Sequence, residues 1–237
     1  MNVLAYNNEG GPEPRLRRPV DLRVYCLVDP LQTRGRSLVD VAKAAVAGGA
    51  TLVQYRDKHG STREMIANAR ALKAALEGTG VPLVINDRVD VALAAGADGS
   101  HVGLDDMAAR DARRLMGRDA IIGLSIGSVA EARDAAYEAV DYVCIGCVFR
   151  TGSKPDAEPP VGLDGLRRIA EDIRRFDPKV PVGAISGIHA DNAAAVVAAG
   201  VDGVAVISAI GAAPDPWMAA RTLRLVVDRA LAAEGQS

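Results

Sequence analysis

The chain has 237 residues, of which 49% are apolar, 24% are charged and only 3% are aromatic. A core of this size must therefore be built mainly from Ala, Val, Leu and Ile. The 28 basic and 30 acidic residues leave a net charge of −2, which excludes the basic footprint of a nucleic-acid-binding or anionic-membrane-binding protein. No apolar run reaches the roughly 18 residues of a membrane span, and the N-terminus lacks the apolar stretch of a signal peptide. Because the cysteines are also odd in number and without framework spacing, we expect a cytoplasmic protein.

From Val24 onward, short β-rich runs alternate with Ala-rich helical stretches. The sequence predicts strands at 24–28, 51–57, 82–86, 100–103, 120–125, 142–148, 181–185 and 203–208. It predicts helices at 37–47, 61–77, 88–95, 106–116, 128–139, 163–175, 190–199 and 215–232. Eight such units predict the α/β class, with parallel strands and right-handed crossovers in a single (β/α)8 TIM barrel over residues 21–237. Residues 1–20, which contain a Gly-Gly-Pro run, are predicted to form a mobile arm.

A faint internal repeat supports this architecture. Residues 94–102 match residues 198–206 at a separation of 104 residues, or about four strand–helix units. In each copy a glycine (Gly96 or Gly200) is predicted to end a helix in a left-handed conformation, and an Asp-Gly pair is predicted to make the turn into a strand. A doubly wound open sheet is the alternative, but it would need a Gly-rich fingerprint after the first strand, and the chain has none there.

Cys144 and Cys147 form a C-x-x-C spacing within the predicted strand 142–148. Positions three apart on a strand face opposite sides, so these thiols are not expected to share a metal or a disulfide. Cys26 also lies in an apolar segment. All three are interpreted as buried structural cysteines.

The end of strand 2 is unusually polar for a barrel strand. Gln54, Arg56 and Lys58 alternate in sequence and are therefore expected to share one face. Two cations on one face of such a strand are costly unless an anion compensates them. We interpret them as an anion-binding site, and ion pairs at a solvated edge are the alternative.

Carboxylates follow the next two strands. Asp87 follows strand 3, and Asp105 and Asp106 follow strand 4. For Asp105 we expect a helix N-cap. Asp87 and Asp106 fit equally well as N-caps or as two carboxylates that bind Mg²⁺ together with substrate phosphate oxygens.

Hydroxyl groups and glycines follow the remaining strands. The long loop after strand 6 is interpreted either as a binding lid or as a flexible surface loop, and it offers an oxyanion two hydroxyls and a cation: Thr151, Ser153 and Lys154. Strands 7 and 8 end near Gly187 and Ser208, where many barrels bind a phosphate through backbone N–H groups. Ser125, at the end of strand 5, would by itself be an N-cap. One basic site beside two carboxylates suits a metal pyrophosphate, and one neutral site suits a monophosphate.

Several segments, in this order, resemble the thiamine phosphate synthase family: Val53–Lys58, Ile85–Asp90, Asp98–Gly103 with Asp106, Asp141–Ala157 and Gly203–Ile210. The resemblance covers about residues 22–230. It implies a transferase of thiamine biosynthesis. In that reaction hydroxymethylpyrimidine pyrophosphate loses Mg²⁺-bound pyrophosphate, and the ring nitrogen of hydroxyethylthiazole phosphate captures the pyrimidine-stabilised carbocation to give thiamine phosphate.

The resemblance also implies a role for each matching residue. The pyrimidine pyrophosphate would be bound by Gln54, Arg56, Lys58, Asn86, Ser125 and Lys154. Four of these would be catalytic: Arg56, Lys58, Ser125 and Lys154. The thiazole phosphate would be bound by Thr151, Ser153, Gly187, Ile207 and Ser208. Mg²⁺ would be held by Asp87 and Asp106.

Five positions depart from the family pattern. The family usually has Gln where this chain has Leu104, and a second Gly where it has Ser186. It usually has Pro at the positions of Cys147 and Arg150, and it often has His at the position of Gly127. Leu104 and Ser186 border the predicted substrate sites, so they bear most directly on affinity and activity.

Two other functions stay open at this point. A thiazole tautomerase shares the fold and the phosphate site, but its catalytic His would fall at Gly127, and Asn86 and Asp87 match the synthase instead. A non-catalytic paralogue that binds thiazole phosphate or thiamine phosphate would not need Asp87, Asp106 and a basic loop. In each case the expected partners are small molecules, with no nucleic acid and no membrane, and a homo-oligomer is left open.

Overall fold

A computed structural model describes residues 19–152 and 159–235 of the chain. Its strands are all parallel, pair in chain order and close into a barrel, because the last strand also pairs with the first. They are β1 Val24–Val28, β2 Leu52–Tyr55, β3 Leu83–Asn86, β4 Gly99–Val102, β5 Ile121–Ile126, β6 Tyr142–Ile145, β7 Val182–Ile185 and β8 Gly203–Val206. The predicted (β/α)8 barrel is confirmed. The predicted arm at 1–20 lies almost wholly outside the described residues and stays a prediction.

Helices separate the strands and form the outer layer of the barrel. They are α1 Leu38–Gly48, α2 Thr62–Ala75, α3 Val89–Ala95, α4 Ala109–Met116, α5 Val129–Asp134, α6 Gly162–Phe176, α7 Ala190–Val197, α8 Ser208–Gly211 and α9 Pro216–Glu234. Their starts follow from local hydrogen bonding. Ser61 and Glu64 form a reciprocal capping box at α2, and Asp215 accepts from Met218 N at α9, where Pro216 needs no N–H partner. In the described ranges no helix is both long and apolar enough to span a membrane.

Several predicted boundaries were wrong in the same direction. The strand predicted to 57 ends at Tyr55, and the strand predicted to 148 ends at Ile145. The last strand ends at Val206, and the short α8 follows it. The helix predicted at 128–139 breaks after α5 because Ala135 is extended, with a ψ of 139°. After β6 and β8 apolar residues continue past the last strand residue, so polarity could not mark those boundaries, whereas β2 is followed by Arg56 and Asp57.

Apolar side chains form two concentric layers. The outer layer lies between the strands and the helices. The inner layer fills the barrel and consists of Leu22, Tyr25, Leu27, Leu52, Val84, Ile121, Tyr142, Cys144 and Ala205. Inward and outward side chains alternate along each strand, as the two-residue strand period requires.

Aspartate side chains link the N-terminal ends of neighbouring strands in pairs. In three places an aspartate immediately before an even-numbered strand accepts from a backbone N–H at the start of the preceding strand and from a cation on the helix that leads into that preceding strand, at 2.5–2.8 Å. The sets are Asp98 with Leu83 and Lys73, Asp141 with Ile122 and Arg113, and Asp202 with Val182 and Arg174. The contact therefore recurs every two strand–helix units.

The same device explains the sequence repeat. Asp98 and Asp202 occupy equivalent positions in the two repeated segments. Gly96 and Gly200 have φ angles of 68° and 97°, which confirms their predicted left-handed conformation. The interpretation of the aspartates as turn formers was incomplete, because their carboxylates also bind the preceding strand. Before β2, the Thr51 hydroxyl takes this place and accepts from Val24 N at 3.2 Å.

The three cysteines are free thiols and buried. Because β6 ends at Ile145, the argument from a continuous strand over Cys144 and Cys147 was wrong. Cys144 packs inside the barrel, and the Cys147 thiol donates to Phe149 O at 3.0 Å. The interpretation of all three as buried cysteines is confirmed.

Candidate active site

Arg56 is held by a carboxylate at the end of the neighbouring strand. Its Nη1 lies 2.5 Å from Asp29 Oδ2, and both side chains are largely buried. Asp29 also accepts from Leu31 N at 2.9 Å, which fixes the carboxylate in the loop after β1. The guanidinium is therefore held in one orientation at the C-terminal end of the barrel.

Lys58 turns the other way, toward β3. Its ammonium forms an ion pair with Asp87, which directly follows that strand. Because β2 ends at Tyr55, the prediction that Arg56 and Lys58 share one strand face was wrong. The two cations bridge to strands on opposite sides of β2, so the ion pairs named above as the alternative are present in this structure.

Asp87 and Asp106 lie side by side at the ends of β3 and β4. The Asp106 carboxyl is within hydrogen-bonding reach of Asp87 and also accepts from Gly103 N at 2.8 Å. Neither residue caps a helix, because α3 begins after Arg88 and α4 after Ala108. The N-cap alternative for Asp87 and Asp106 is therefore excluded.

The prediction of an N-cap at Asp105 was also wrong. Ala108 occupies the N-cap position of α4 and makes no side-chain capping bond. Asp105 is exposed in the loop after β4, as is Leu104 at 62% relative exposure. The tight turn in which Gly103 N–H reaches Asp106 delays the start of the helix by three residues.

Crowding of two carboxylates changes the protonation of Asp106. Burial raises the pKa of its carboxyl above the ordinary value, and the adjacent Asp87 carboxyl raises it further, against the lowering effects of Gly103 N–H and Lys58. In the described part of the chain, no group of three or more His, Cys, Asp or Glu side chains could hold a metal by itself. Two carboxylates that need further oxygen ligands from a substrate fit the usual coordination of Mg²⁺.

Gln54, His101 and Ser125 line the interior beneath these groups. Gln54 and His101 are buried, and Ser125 is partly exposed. His101 Nε2 lies 3.0 Å from Ser125 Oγ. Burial lowers the pKa of His101 to about 4, so its ring is neutral at pH 7. Ser125 lies within β5 and Ser128 caps α5, which overturns the N-cap interpretation of Ser125.

The ends of β6, β7 and β8 form the more neutral side of the barrel mouth. Gly187, with a φ of 67°, lies so close to the chain after β6 that a Cβ would come within 2.7 Å of Arg150 O. The predicted binding of a phosphate near Gly187 stays a prediction. Ser208 begins α8 after the buried end of β8, with Ile207 at the N-cap position. Ser186 has a φ of 88°, which favours glycine, the residue that the resembled family usually has there.

Of the other predicted site residues, Asn86 ends β3 opposite His101, and Thr151 follows the Arg150 segment that contacts Gly187. Ser153 and Lys154 lie outside the described residues. Sequence reasoning missed Asp29, His101, Tyr25 and Tyr142. A carboxylate directly after β1, and polar side chains at inward positions of β1, β4 and β6, were the available signals.

The comparisons with known proteins agree with this geometry. A family model described as thiamine monophosphate synthase matches residues 24–210, from β1 into α8. The chain belongs to the thiamine monophosphate synthase family. This confirms the predicted resemblance and the predicted enzyme class, a transferase of thiamine biosynthesis.

Individual relatives of the thiamine monophosphate synthase family match over nearly their whole length. A thiamine-phosphate synthase from Agrobacterium fabrum is 54% identical, over 90% of this chain and 97% of its own. Another from Chloroflexus aurantiacus is 50% identical, over 88% of this chain and 94% of its own. The solved structure of a thiamine phosphate pyrophosphorylase from Pyrococcus furiosus has a TM-score of 0.78 and 38% identity, over 89% of this chain and 98% of its own.

Proposed function

We propose that this chain joins hydroxymethylpyrimidine pyrophosphate to hydroxyethylthiazole phosphate, forming thiamine phosphate and releasing pyrophosphate. One observation carries the proposal beyond family membership. Two cations and two adjacent carboxylates meet at the neighbouring ends of β2, β3 and β4, namely Arg56, Lys58, Asp87 and Asp106. This combination suits the pyrophosphate of a metal-bound substrate.

Asp87 and Asp106 would hold Mg²⁺, which would supply positive charge to the departing pyrophosphate. A dication would relieve the crowding that raises the pKa of Asp106. It would also release Lys58 from Asp87, so that the ammonium could bind a phosphate oxygen instead. The fit to Mg²⁺ rests on two adjacent carboxylates. Lys58 pairs with Asp87, but one ammonium does not balance two negative charges.

The chain's own groups stabilise charge and fix geometry. Arg56 and Lys58 bind the pyrophosphate, whose negative charge grows as its oxygen takes the electron pair of the breaking carbon–oxygen bond. Asn86, Gln54 and Ser125 orient the pyrimidine ring so that the carbon faces the attacking thiazole nitrogen. No proton leaves that nitrogen when it bonds to carbon, so this step needs no general base.

The thiazole phosphate is proposed to bind on the neutral side of the mouth. Gly187 lets the backbone approach closely, and the chain from Ile207 to Ser208 offers N–H groups and a hydroxyl. Thr151 with Ser153 and Lys154 of the following loop would complete the two sites. A neutral backbone site beside a basic one keeps the two phosphorylated substrates in different positions.

The tautomerase alternative lacks its base in this chain. Its catalytic His would stand at Gly127, whose N–H donates to Glu131 Oε2 at 2.6 Å. Synthase activity is therefore the better supported function. The predicted cytoplasmic location stays a prediction, which cell fractionation checks.

Purified full-length chain, mixed with both substrates and Mg²⁺, should release thiamine phosphate and pyrophosphate in equal amounts. Excess EDTA should abolish turnover, and excess Mg²⁺ should restore it. Full activity in chelator would contradict the assignment of Mg²⁺ to Asp87 and Asp106 but not the proposed reaction. Binding of the thiazole phosphate with no product under any condition would favour the non-catalytic paralogue.

A further inference from the structure

A continuous chain of polar side chains crosses the barrel interior beneath the proposed pyrimidine site. Gln54 Nε2 donates to Tyr25 Oη, which lies 2.7 Å from Tyr142 Oη. Tyr142 Oη lies 2.9 Å from His101 Nδ1. The other ring nitrogen, His101 Nε2, lies 3.0 Å from Ser125 Oγ. The chain therefore connects two residues proposed to bind the pyrimidine, Gln54 and Ser125, through three residues with no assigned role.

The packing around the chain fixes its members. Tyr25 and Tyr142 are fully buried, and their rings meet edge to face with centroids 5.7 Å apart. Gly123 provides the space for the central contact, because a Cβ there would come within 2.4 Å of both His101 Nδ1 and Tyr142 Oη. An inward side chain on β5 would thus separate the tyrosine from the histidine. Strand β5 leaves open the position where the two groups meet.

The donors and acceptors that each group offers fix the direction of these hydrogen bonds. The Gln54 amide nitrogen can only donate, so Tyr25 Oη accepts from it. The Tyr25 hydroxyl then donates its own hydrogen bond to Tyr142 Oη. Tyr25 has no other acceptor among the residues that the structure describes. Tyr142 must then donate to His101 Nδ1. The neutral imidazole keeps its one proton on Nε2 and donates it to Ser125 Oγ, which leaves the serine proton free to point into the site.

The two ends of the chain consequently present opposite hydrogen-bonding groups. At one end Gln54 Oε1 is buried with no hydrogen-bond partner in the described part of the molecule. A buried carbonyl oxygen without a donor is costly, so a ligand that brings a donor to it binds more tightly. At the other end Ser125 offers a donor. If the Gln54 amide were rotated by half a turn, every bond in the chain would reverse, and the two ends would exchange roles.

We propose that Tyr25, Tyr142 and His101 are positioning residues that link the amide orientation of Gln54 to the donor role of Ser125. The linked ends select a ring that carries a donor on one side and an acceptor on the other, as an aminopyrimidine does. The direction of these hydrogen bonds is a property of the protein without ligand. The selection of the ring rests on the proposed function.

The direction can be measured without substrate. The protein has only three histidines, so ¹⁵N spectra at neutral pH can assign the imidazole nitrogens of His101 individually. A His101→Gln variant identifies the signals. The proposal requires the proton on Nε2 and an unprotonated Nδ1. A proton on Nδ1 would mean that the hydrogen bonds run in the opposite direction and would overturn the proposal.

The selection is measured by calorimetry with Mg²⁺ and no thiazole phosphate, so that nothing turns over. The probes are hydroxymethylpyrimidine pyrophosphate and the analogue in which a carbonyl oxygen replaces the amino group. The wild-type chain should prefer the amino compound. Tyr142→Phe, which removes one hydroxyl and frees the Gln54 amide to rotate, should reduce the ratio of the two dissociation constants by about threefold to tenfold, the value of one neutral hydrogen bond.

Two further variants make this result specific. Tyr25→Phe breaks the same chain at another link and should reduce the ratio similarly, which keeps the test decisive if Tyr142→Phe fails to fold. Tyr55→Phe is the matched control, because Tyr55 is equally buried but its hydroxyl contacts Asp57 and Asn68 outside the barrel interior. Its ratio should stay at the wild-type value. An unchanged ratio in both chain variants would overturn the proposal.

A failure of the proposed function looks different. If the wild-type chain binds neither pyrimidine compound, then the assignment of the substrate is wrong, and the selection of the ring is wrong with it. The tautomer of His101 still decides in that case whether the interior chain has the stated direction.

Discussion

The two ends of the barrel surround their carboxylates differently. At the N-terminal ends of the strands, Asp98, Asp141 and Asp202 each accept from a backbone N–H and from a helix cation. At the C-terminal ends, Asp106 lies against a second carboxylate, Asp87. Each aspartate of the first set has a cation of its own, whereas Asp106 adjoins a carboxylate, Asp87, that is already paired with Lys58.

Backbone conformation differs between the ends in the same sense. In the helix-to-strand loops at the N-terminal end, the left-handed positions within the described ranges are glycines: Gly49, Gly78, Gly80, Gly96, Gly117 and Gly200. At the C-terminal end, the strand-to-helix loops hold Arg34, Asp87 and Ser186 at φ angles of 52°, 59° and 88°. A side chain in that region of φ is strained, and the strain is retained where ligands are expected to bind.

The comparison separates residues that hold the barrel together from residues that prepare it for a ligand, as is typical of this fold. A fully paired carboxylate should contribute to folding and leave activity alone. A crowded carboxylate should do the opposite. The same chemical substitution at the two ends therefore tests the comparison directly.

Asp141→Asn should produce the largest loss of stability. The side chain is fully buried and Arg113 is nearly so, so removal of the negative charge leaves a largely buried guanidinium without its carboxylate, although its bonds to backbone carbonyls remain. We expect the free energy of unfolding to fall by about 3 kcal/mol, with kcat and both KM values unchanged. Urea unfolding measures the first and steady-state assays the second. Asp164→Asn, at an exposed ion pair of 3.6 Å, is the control and should change little. A fall in kcat at unaltered stability would break the comparison.

Asp106→Asn should show the reverse pattern. The amide still accepts from Gly103 N–H but is a poor Mg²⁺ ligand, so kcat should fall on the order of a hundredfold. Because the pKa of Asp106 is raised in the folded protein, folding favours its protonated form, and stability is lost as pH rises from the ordinary aspartate value through the raised one. The permanently neutral variant should therefore melt higher than wild type at pH 7, and the difference should shrink toward pH 4.

The neighbouring Asp105 provides the control for this variant. It is exposed and makes no capping bond to α4, so Asp105→Asn should leave both kcat and melting temperature near wild type. Equal losses of activity in the two variants would mean that the loop after β4, and not a carboxylate pair, is what the reaction needs.

Ser186→Gly tests the strain at the ligand-binding end. Relief of a φ of 88° should outweigh the added flexibility of the unfolded chain and stabilise the protein by about 1 kcal/mol. Ser186→Ala keeps the Cβ and should give no gain. At the other end Gly200→Ala, at a φ of 97° with open space around the Cβ, should destabilise by about as much. Urea unfolding of the three variants decides, and equal signs for Ser186→Gly and Gly200→Ala would remove the distinction.

The fold was predictable because its signals are repeated along the chain. Each unit pairs an apolar run with an Ala-rich helix, and the repeat around Gly96 and Gly200 marks equivalent positions four units apart. The ends of elements were not predictable in the same way. Whether β2 stops at Tyr55 or continues depends on pairing with β1 and β3, which a single strand's sequence does not contain.

The site was predictable as a set of strand ends but not as a set of contacts. Asp87 and Asp106 could be placed at neighbouring ends, since parallel strands finish together. The partners of Arg56 and Lys58 could not, because the alternation of side chains holds only within a strand. The interior chain was missed for another reason: Tyr25 and Tyr142 look like ordinary core residues until their hydroxyls are found 2.7 Å apart.

Ser208→Ala should have the smallest effect and the most specific one. The side chain is exposed at the start of α8, and a neutral hydrogen bond in contact with water contributes at the low end of its usual range. We expect the KM for the thiazole phosphate to rise about threefold, with the KM for the pyrimidine pyrophosphate and the melting temperature unchanged. The second KM serves as the internal control. Arg56, Lys58 and the two carboxylates follow β2, β3 and β4, and none of these strands pairs with β8, so loss of an uncharged hydroxyl at the start of α8 should not reach them. A rise in the KM for the pyrimidine pyrophosphate alone would mean that the basic and neutral sites have been assigned to the wrong substrates, and the contrast would then have to be redrawn within the C-terminal end itself.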